Sequence, residues 1–337
     1  MSGAILTLIL IIPLGALALL SHWARKSPAA EISLAVVLLV ASILIALLGT
    51  FTSIGLLLTG PGTGDGPLSS TSAVAAALVA AAVGFVGIGL CVPPLLKITG
   101  RRADGWWSDP PVFFATWLFV VVLGNNLFSL LLFTQVEDFG ALITGSGARI
   151  SPGAVLLSQL PLVAIAVLGV GIGVRRGLGD VVSRLGYGGL SLRQLGIVTA
   201  FVVGALLLSA ASDRLFEYLQ PGLYERVGEI TSDLFSIEGM GLSSVLLFGL
   251  LLGLGAAAGE ETLFRGALQP VFGVVLTSLL FASLHVQYGP SVSLGYVFLL
   301  SVGLGILRNR INTTAAFVAH AGYNFSGVLL AYLLGGV

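Results

Sequence analysis

The chain has 337 residues and no net formal charge, and 56% of its residues are hydrophobic while only 9% are charged. Soluble domains contain about 25% charged residues, so this composition excludes an ordinary soluble protein and predicts one that crosses a membrane several times. The zero net charge provides no basic surface for nucleic acid, and the single cysteine, Cys91, excludes a disulfide framework or a cysteine metal site.

Ten apolar stretches are long enough to cross about 30 Å of hydrocarbon as helices. The first has no basic residue before it, while Arg25 and Lys26 follow it, so we interpret it as a membrane helix rather than a cleaved signal peptide. The predicted fold class is therefore all-α, a polytopic transmembrane helical bundle of about ten membrane helices. Their approximate limits are 4–20, 31–59, 71–98, 111–135, 153–174, 195–216, 242–269, 273–287, 291–307 and 312–335.

The sequence predicts the structure of three connections between these stretches. Glycine and proline in 60–70, and two acidic residues with a proline in 136–152, predict loops. The connection 217–241 is acidic, but its apolar residues recur at helical spacing. It is therefore expected to form a short amphipathic helix on the outer face of the membrane.

The orientation in the membrane follows from the distribution of basic residues, which collect on the cytoplasmic side. They concentrate in alternate connections, as a ten-helix topology requires, and the other connections contain only three. Both termini are therefore predicted to lie outside the cell membrane. The basic residues of the predicted cytoplasmic loops are Arg25, Lys26, Lys97, Arg101, Arg102, Arg175, Arg176, Arg184, Arg193, Arg308 and Arg310.

Three motifs near the C-terminal end place ionisable and amide side chains inside apolar spans. Such groups are costly in hydrocarbon unless they face a protein interior or a wet cavity, so they indicate a functional site. Residues four apart lie on the same side of a helix, so each motif presents its side chains in one direction. The motifs are Glu260-Glu261-x-x-x-Arg265, Phe281-x-x-x-His285 and His320-x-x-x-Asn324.

The spacing of the motifs from neighbouring turns predicts that they meet at one depth. Proline and glycine in 269–273 should end the helix that carries Glu260 and reverse the chain. At 1.5 Å per residue, Glu260 and His285 then lie about 15–18 Å from that turn. His320 and Asn324 lie about 13–20 Å from the basic turn that precedes them. The C-terminal half should therefore contain a catalytic cavity in the inner half or middle of the bilayer.

These side chains suit hydrolysis of an amide bond by an activated water molecule. Glu260 could act as a general base, His285 could hold the water, and His320 with Asn324 could donate hydrogen bonds to an oxyanion. Adjacent glutamates point about 100° apart, so one can face a cavity while the other pairs with Arg265. A metal is a second possibility, because Glu260, His285 and His320 could ligate zinc. The chain lacks a His-Glu-x-x-His helix, and no cofactor is expected.

The three motifs resemble those of the CAAX-protease and bacteriocin-processing family of intramembrane endopeptidases, which includes prenyl proteases of the Rce1 type and Abi proteins. The order, spacing and residue types of the motifs all agree, and the resemblance covers roughly 180–335. It implies that Glu260 activates water together with His285, and that His320 and Asn324 form the oxyanion site. Glu261, Arg265 and Phe281 would then have supporting roles.

The predicted function is therefore hydrolysis of a peptide bond in a membrane-associated peptide or protein. Expected partners are the lipid bilayer and a membrane protein or lipidated peptide as substrate, with no nucleic acid. The functional boundary is placed between 1–175, helices of unknown role, and 180–337, the protease domain. The alternative is a non-catalytic membrane protein, transporter-like or an immunity component, that retains a polar cavity. A transporter would be expected to show paired half-helices in two related halves, and the N-terminal half does not repeat the motifs.

Overall fold

The computed structural model of the protein describes residues 3–59, 70–98, 105, 108–135, 152–235 and 237–334, and within them it contains no β-strand. The predicted loops 60–70 and 136–152 lie outside the described residues apart from their last residue. The helices are α1 (Gly3–Ala24), α2 (Pro28–Thr59), α3 (Ser70–Ile98), α4 (Pro110–Gln135), α5 (Pro152–Gly169), α6 (Leu178–Arg184), α7 (Leu192–Leu219), α8 (Pro221–Phe235), α9 (Leu242–Glu260), a π-helix (Glu261–Leu268), α10 (Gln269–Ser283), a short 3₁₀ turn (Val286–Tyr288), α11 (Val292–Arg310) and α12 (Thr313–Leu333).

Each of the ten predicted spans corresponds to helix in the structure, so the all-α polytopic fold is confirmed. Among the described residues, seven stretches are long and apolar enough to cross a membrane. One of them, Leu242–Ser283, contains the seventh predicted span and most of the eighth. The first and fifth predicted spans correspond to the shorter apolar helices Ile11–Ala24 and Val155–Gly169. The number of ten is therefore approximate. The orientation of the termini stays a prediction.

The chain divides into two compact units, residues 16–139 and residues 1–15 with 140–337. In the first unit, α2 packs closely on α3, and Trp117 of α4 donates a 2.8 Å hydrogen bond to Ser42 of α2. The second unit contains α5–α12 and all three motifs. The division falls near residue 140, whereas the functional boundary was placed at 175–180 and stays a prediction.

The predicted amphipathic helix is α8, and its apolar residues Val227 and Ile230 are buried. It contacts the 3₁₀ turn 286–288 and, together with α7, contributes to the wall of a cavity in the second unit. The buried apolar face of α8 therefore holds this helix against its neighbours, although much of its sequence is polar.

Helix α9 approaches α12 closely because Gly253 has no side chain. A Cβ atom at Gly253 would lie 2.6 Å from the carbonyl oxygen of Ala321. Small residues allow membrane helices to make this kind of contact. The contact lies two turns before Glu260 on α9 and beside His320 on α12, so it brings the helices of two motifs together.

We therefore expect Gly253→Ala to force α9 and α12 apart and to destabilise the protein by about 1–3 kcal/mol, the usual cost of overpacking. The measurement is the melting temperature of the purified protein in detergent. Gly204→Ala on α7 is the matched control, because a Cβ atom there meets nothing within 4 Å. Equal melting temperatures of the two variants would contradict the role of this contact.

Candidate active site

The three motifs meet at one cavity of about 830 Å³ in the second unit. Glu260, Phe281, His285, His320 and Asn324 all line it. Glu261 and Arg265 do not line it; their side chains are 0% and 1% exposed and lie behind its wall. The structure therefore brings the motif residues together and separates them into a group that faces the cavity and a buried group.

A reversal of the chain at Gly273 brings the first two motifs together. Gly273 has φ 74° and ψ 178°, a backbone conformation that favours glycine. The ring centres of Phe264 and Phe281 are 5.1 Å apart, although a continuous helix would separate residues 17 positions apart by about 25 Å. Residues 242–283 thus form a helical hairpin, with the turn where proline and glycine predicted it.

Glu261 is held by a cation on one side and an imidazole on the other. Its Oε2 atom lies 3.1 Å from Arg265 Nε, and its Oε1 atom lies 2.8 Å from His320 Nδ1. Because the carboxylate accepts, His320 Nδ1 carries the hydrogen and the orientation of the ring is fixed. The pairing of Glu261 with Arg265 was predicted, whereas its contact with His320 was not.

Arg265 is itself anchored to α11. Its Nη2 atom donates hydrogen bonds to Ser301 Oγ at 3.0 Å and to the Ser301 carbonyl oxygen at 3.2 Å. Ser301 is fully buried. A chain of contacts therefore runs from Ser301 through Arg265 and Glu261 to His320, and joins α11, the π-helix and α12.

Glu260 is the glutamate that faces the cavity. Its side chain is 17% exposed, and its Oε2 atom lies 3.9 Å from His320 Nε2. This distance is too long for a direct hydrogen bond, and Oε2 has no hydrogen-bond partner among the described residues. Glu260 therefore lines the cavity and holds a buried carboxylate oxygen without a partner in the described part of the chain, next to the imidazole that Glu261 orients.

Phe281 occupies the centre of the motif residues. Its ring centre lies 4.9 Å from that of His285 and 6.1 Å from that of His320. The guanidinium carbon of Arg265 lies 4.6 Å from the same ring centre, a favourable cation–π arrangement. The aromatic ring thus spaces the two imidazoles and covers the buried cation.

His285 lies just after the end of α10, where the helix breaks as the sequence predicted. Its Nδ1 atom lies 3.0 Å from the carbonyl oxygen of Phe281. Since a carbonyl can only accept, Nδ1 carries the hydrogen, and in the neutral form of the ring Nε2 then has a free lone pair. His285 can therefore accept a hydrogen bond from a bound water through Nε2. No hydrogen bond joins it to Glu260 among the described residues.

Tyr288 is a cavity residue that the sequence did not single out. Its ring is parallel to that of His285 within 6°, with centres 6.1 Å apart. Burial raises the pKa of Tyr288 to about 12, so its hydroxyl stays a hydrogen-bond donor at neutral pH. The only available signal was its position in the segment that breaks the helix after His285.

The end of α6 and the segment that follows it make hydrogen bonds to the π-helix. Arg184 Nη1 donates to the carbonyl oxygen of Gly266 at 3.1 Å, and the Tyr187 hydroxyl lies 2.6 Å from Thr262 Oγ1. Burial lowers the pKa of Arg184 and raises the pKa of Tyr187. π-Helical turns are rare and occur often at functional sites. These contacts help to hold the wide turn that begins at Glu261.

The zinc alternative depends on how the possible ligands are arranged. Zinc needs ligand atoms about 2.0–2.2 Å from the ion, which requires its ligands to converge. Within the part of the chain that the structure describes, no three histidine, cysteine, aspartate or glutamate side chains are grouped to hold a metal ion. Glu260, His285 and His320 are thus not grouped around one point in this structure.

The segment that carries the three motifs matches a known protein family. Residues 242–326 match the family described as type II CAAX prenyl endopeptidase, Rce1-like. No curated protein and no solved structure matches the chain significantly. At the level of the family, the match supports a protease-like hydrolase in a multi-pass membrane protein. The resemblance predicted from the three motifs is therefore confirmed over residues 242–326, and the wider extent predicted for it, roughly 180–335, stays a prediction.

Proposed function

We propose that the protein is an intramembrane endopeptidase that hydrolyses a peptide bond of a membrane-associated peptide or protein. The observation that carries this proposal is the arrangement around Glu260. Its carboxylate faces a cavity, lies 3.9 Å from the Nε2 atom of His320, and shares the cavity wall with His285 and Asn324. The Rce1-like match to residues 242–326 supports the same class of reaction.

In the proposed reaction, Glu260 removes a proton from a water molecule that His285 Nε2 helps to orient. The oxygen of this water attacks the carbonyl carbon of the scissile bond, and a tetrahedral oxyanion forms. Protonated His320 and the Asn324 amide donate hydrogen bonds to that oxyanion. The carbon–nitrogen bond then breaks, and Glu260 returns its proton to the departing amine. The products are one carboxyl group and one amine.

The buried residues position this machinery. Glu261 holds His320 by Nδ1, so that Nε2 is directed toward Glu260. Arg265 balances the charge of Glu261 in a region that excludes water. Phe281 contributes its carbonyl oxygen to His285 and its ring to the packing between both histidines. Each supporting residue thus acts through one that contacts the substrate or water.

The proposed substrate class is a peptide that reaches the cavity from the lipid bilayer. The matched family is described as a prenyl endopeptidase, so a peptide with a prenylated cysteine is the first probe. Its unprenylated counterpart is the matched comparison. Faster cleavage of the prenylated peptide would assign the lipid as a recognition element, and equal rates would assign recognition to the peptide alone.

The proposal is tested by comparing peptides released from cell membranes that contain the wild-type protein or Glu260→Gln. Mass spectrometry of the released peptides is expected to show products that occur only with the wild-type protein. The ends of these products also define the cleavage sites in whichever membrane protein is cut. Identical peptide profiles for the two proteins would contradict the proposed function and would favour a non-catalytic role of the cavity.

We propose further that the reaction needs no metal, because Glu260 can activate water and the three possible ligands are not grouped around one point. Exhaustive treatment with 1,10-phenanthroline is therefore expected to leave the cleavage rate unchanged. Elemental analysis of the purified protein should find less than one zinc per chain. Loss of activity with the chelator and recovery on addition of zinc would contradict this mechanism.

A further inference from the structure

The helix α5 lies outside the residues that match the family, yet it forms part of the candidate active site. It packs against α9 and against the π-helix that carries Glu261. Its residue Gln159 lines the same cavity as Glu260 and His285. A side chain from outside the Rce1-like segment is therefore available to a substrate in this cavity.

Gly259, the residue before Glu260, allows Gln159 to reach this position. A Cβ atom at Gly259 would collide with Gln159 Oε1 and would lie 2.9 Å from the Cβ atom of Gln159. The Gln159 side chain thus occupies the space where any other residue at 259 would place its own side chain. Its amide is held against the backbone next to the proposed general base.

The amide of Gln159 is incompletely satisfied by the protein. Its Oε1 atom is buried and has no hydrogen-bond partner among the described residues. In the part of the chain that the structure describes, its Nε2 atom reaches only Ser158 Oγ, at 3.4 Å. A buried acceptor without a donor is uncommon in proteins and calls for an explanation such as a ligand. Oε1 is buried in this structure, but Gln159 itself lines the cavity, so a turn of its amide can present this acceptor to a bound peptide that supplies the missing donor.

We propose that Gln159 binds the backbone of the peptide substrate, with Oε1 accepting a hydrogen bond from a peptide N–H near the scissile bond. This inference rests on the proposed function. A peptide that leaves water for a cavity within the bilayer needs partners for its N–H and C=O groups. An amide that contacts only the peptide backbone does not select for particular substrate side chains. It therefore favours extended peptides of many sequences.

The test uses Gln159→Met, which keeps the length of the side chain but removes the amide. The probe is a synthetic peptide that spans a cleavage site found with the wild-type protein and not with Glu260→Gln. Gln159→Met is expected to raise KM about tenfold, the usual effect of leaving one hydrogen bond unmade, while the melting temperature stays unchanged. Leu157→Met is the matched control, because Leu157 is on the same helix and 54% exposed.

A second arm identifies the atom on the substrate. Each amide near the scissile bond is replaced in turn by an ester, which lacks the N–H. The ester at the contacted position should weaken binding to the wild-type protein and should have little further effect on Gln159→Met. Wild-type KM for Gln159→Met, or equal ester effects in both proteins at every position, would overturn the role of Gln159. If no cleavage depends on Glu260, the proposed function itself fails.

Discussion

Glu260→Gln is expected to reduce peptide cleavage by about 10²–10⁴-fold, the contribution of a general base. The amide keeps the shape of the side chain but cannot remove a proton from water. Because Glu260 Oε2 has no hydrogen-bond partner among the described residues, its replacement breaks no protein hydrogen bond at that atom. The variant should therefore insert, fold and melt like the wild-type protein.

The measurement is the initial rate of cleavage in proteoliposomes, together with the melting temperature. Glu229→Gln on α8 makes the same chemical change at an exposed position that does not line the cavity. It should keep the wild-type rate. If Glu260→Gln retains cleavage within about threefold of wild type, Glu260 is not the general base, and the assignment of the two glutamates must be reconsidered.

Arg265→Leu, unlike Glu260→Gln, is expected to cause a large loss of stability. Removing one member of a buried ion pair leaves the other charge without compensation and costs about 3–5 kcal/mol. Here the remaining charge is Glu261, which is 0% exposed, and the Ser301 contacts are lost as well. The variant should unfold at a lower temperature and lose activity because Glu261, which orients His320, is no longer held by Arg265.

Two further variants make this result specific. Arg214→Leu removes an exposed ion pair with Glu217, and surface pairs of this kind contribute little to stability. The double change Glu261→Leu and Arg265→Leu removes both buried charges, so it should be more stable than Arg265→Leu alone. A melting temperature of Arg265→Leu equal to that of wild type would show that the pair does not hold the site together.

Much of the fold was predictable because apolar length and helix-breaking residues are local properties. The spans, the reversal near Gly273 and the amphipathic helix α8 all followed from such signals. It was also predictable that one of the two glutamates, Glu260 and Glu261, would face the cavity while the other paired with Arg265. Adjacent residues on a helix point in different directions, and Arg265 lies four positions after Glu261.

The contacts that the sequence did not predict depend on packing between distant helices. Gln159 lies about one hundred positions before Glu260, and no pattern in α5 indicates a cavity residue. The 2.8 Å contact between Glu261 and His320 depends on how α12 rotates against the hairpin. The π-helix is a change in hydrogen-bond register that the residue types do not specify.

The helical hairpin 242–283 also has a consequence for the order of assembly in the cell. Glu261 and Arg265 are close in sequence, so they can neutralise each other as soon as this hairpin enters the membrane. His320 and Asn324 are synthesised later, with α12. A nascent chain that has inserted only the hairpin would therefore have its buried charges paired, but it would lack the residues of the oxyanion site. It could hydrolyse a peptide only after α12 packs against the hairpin.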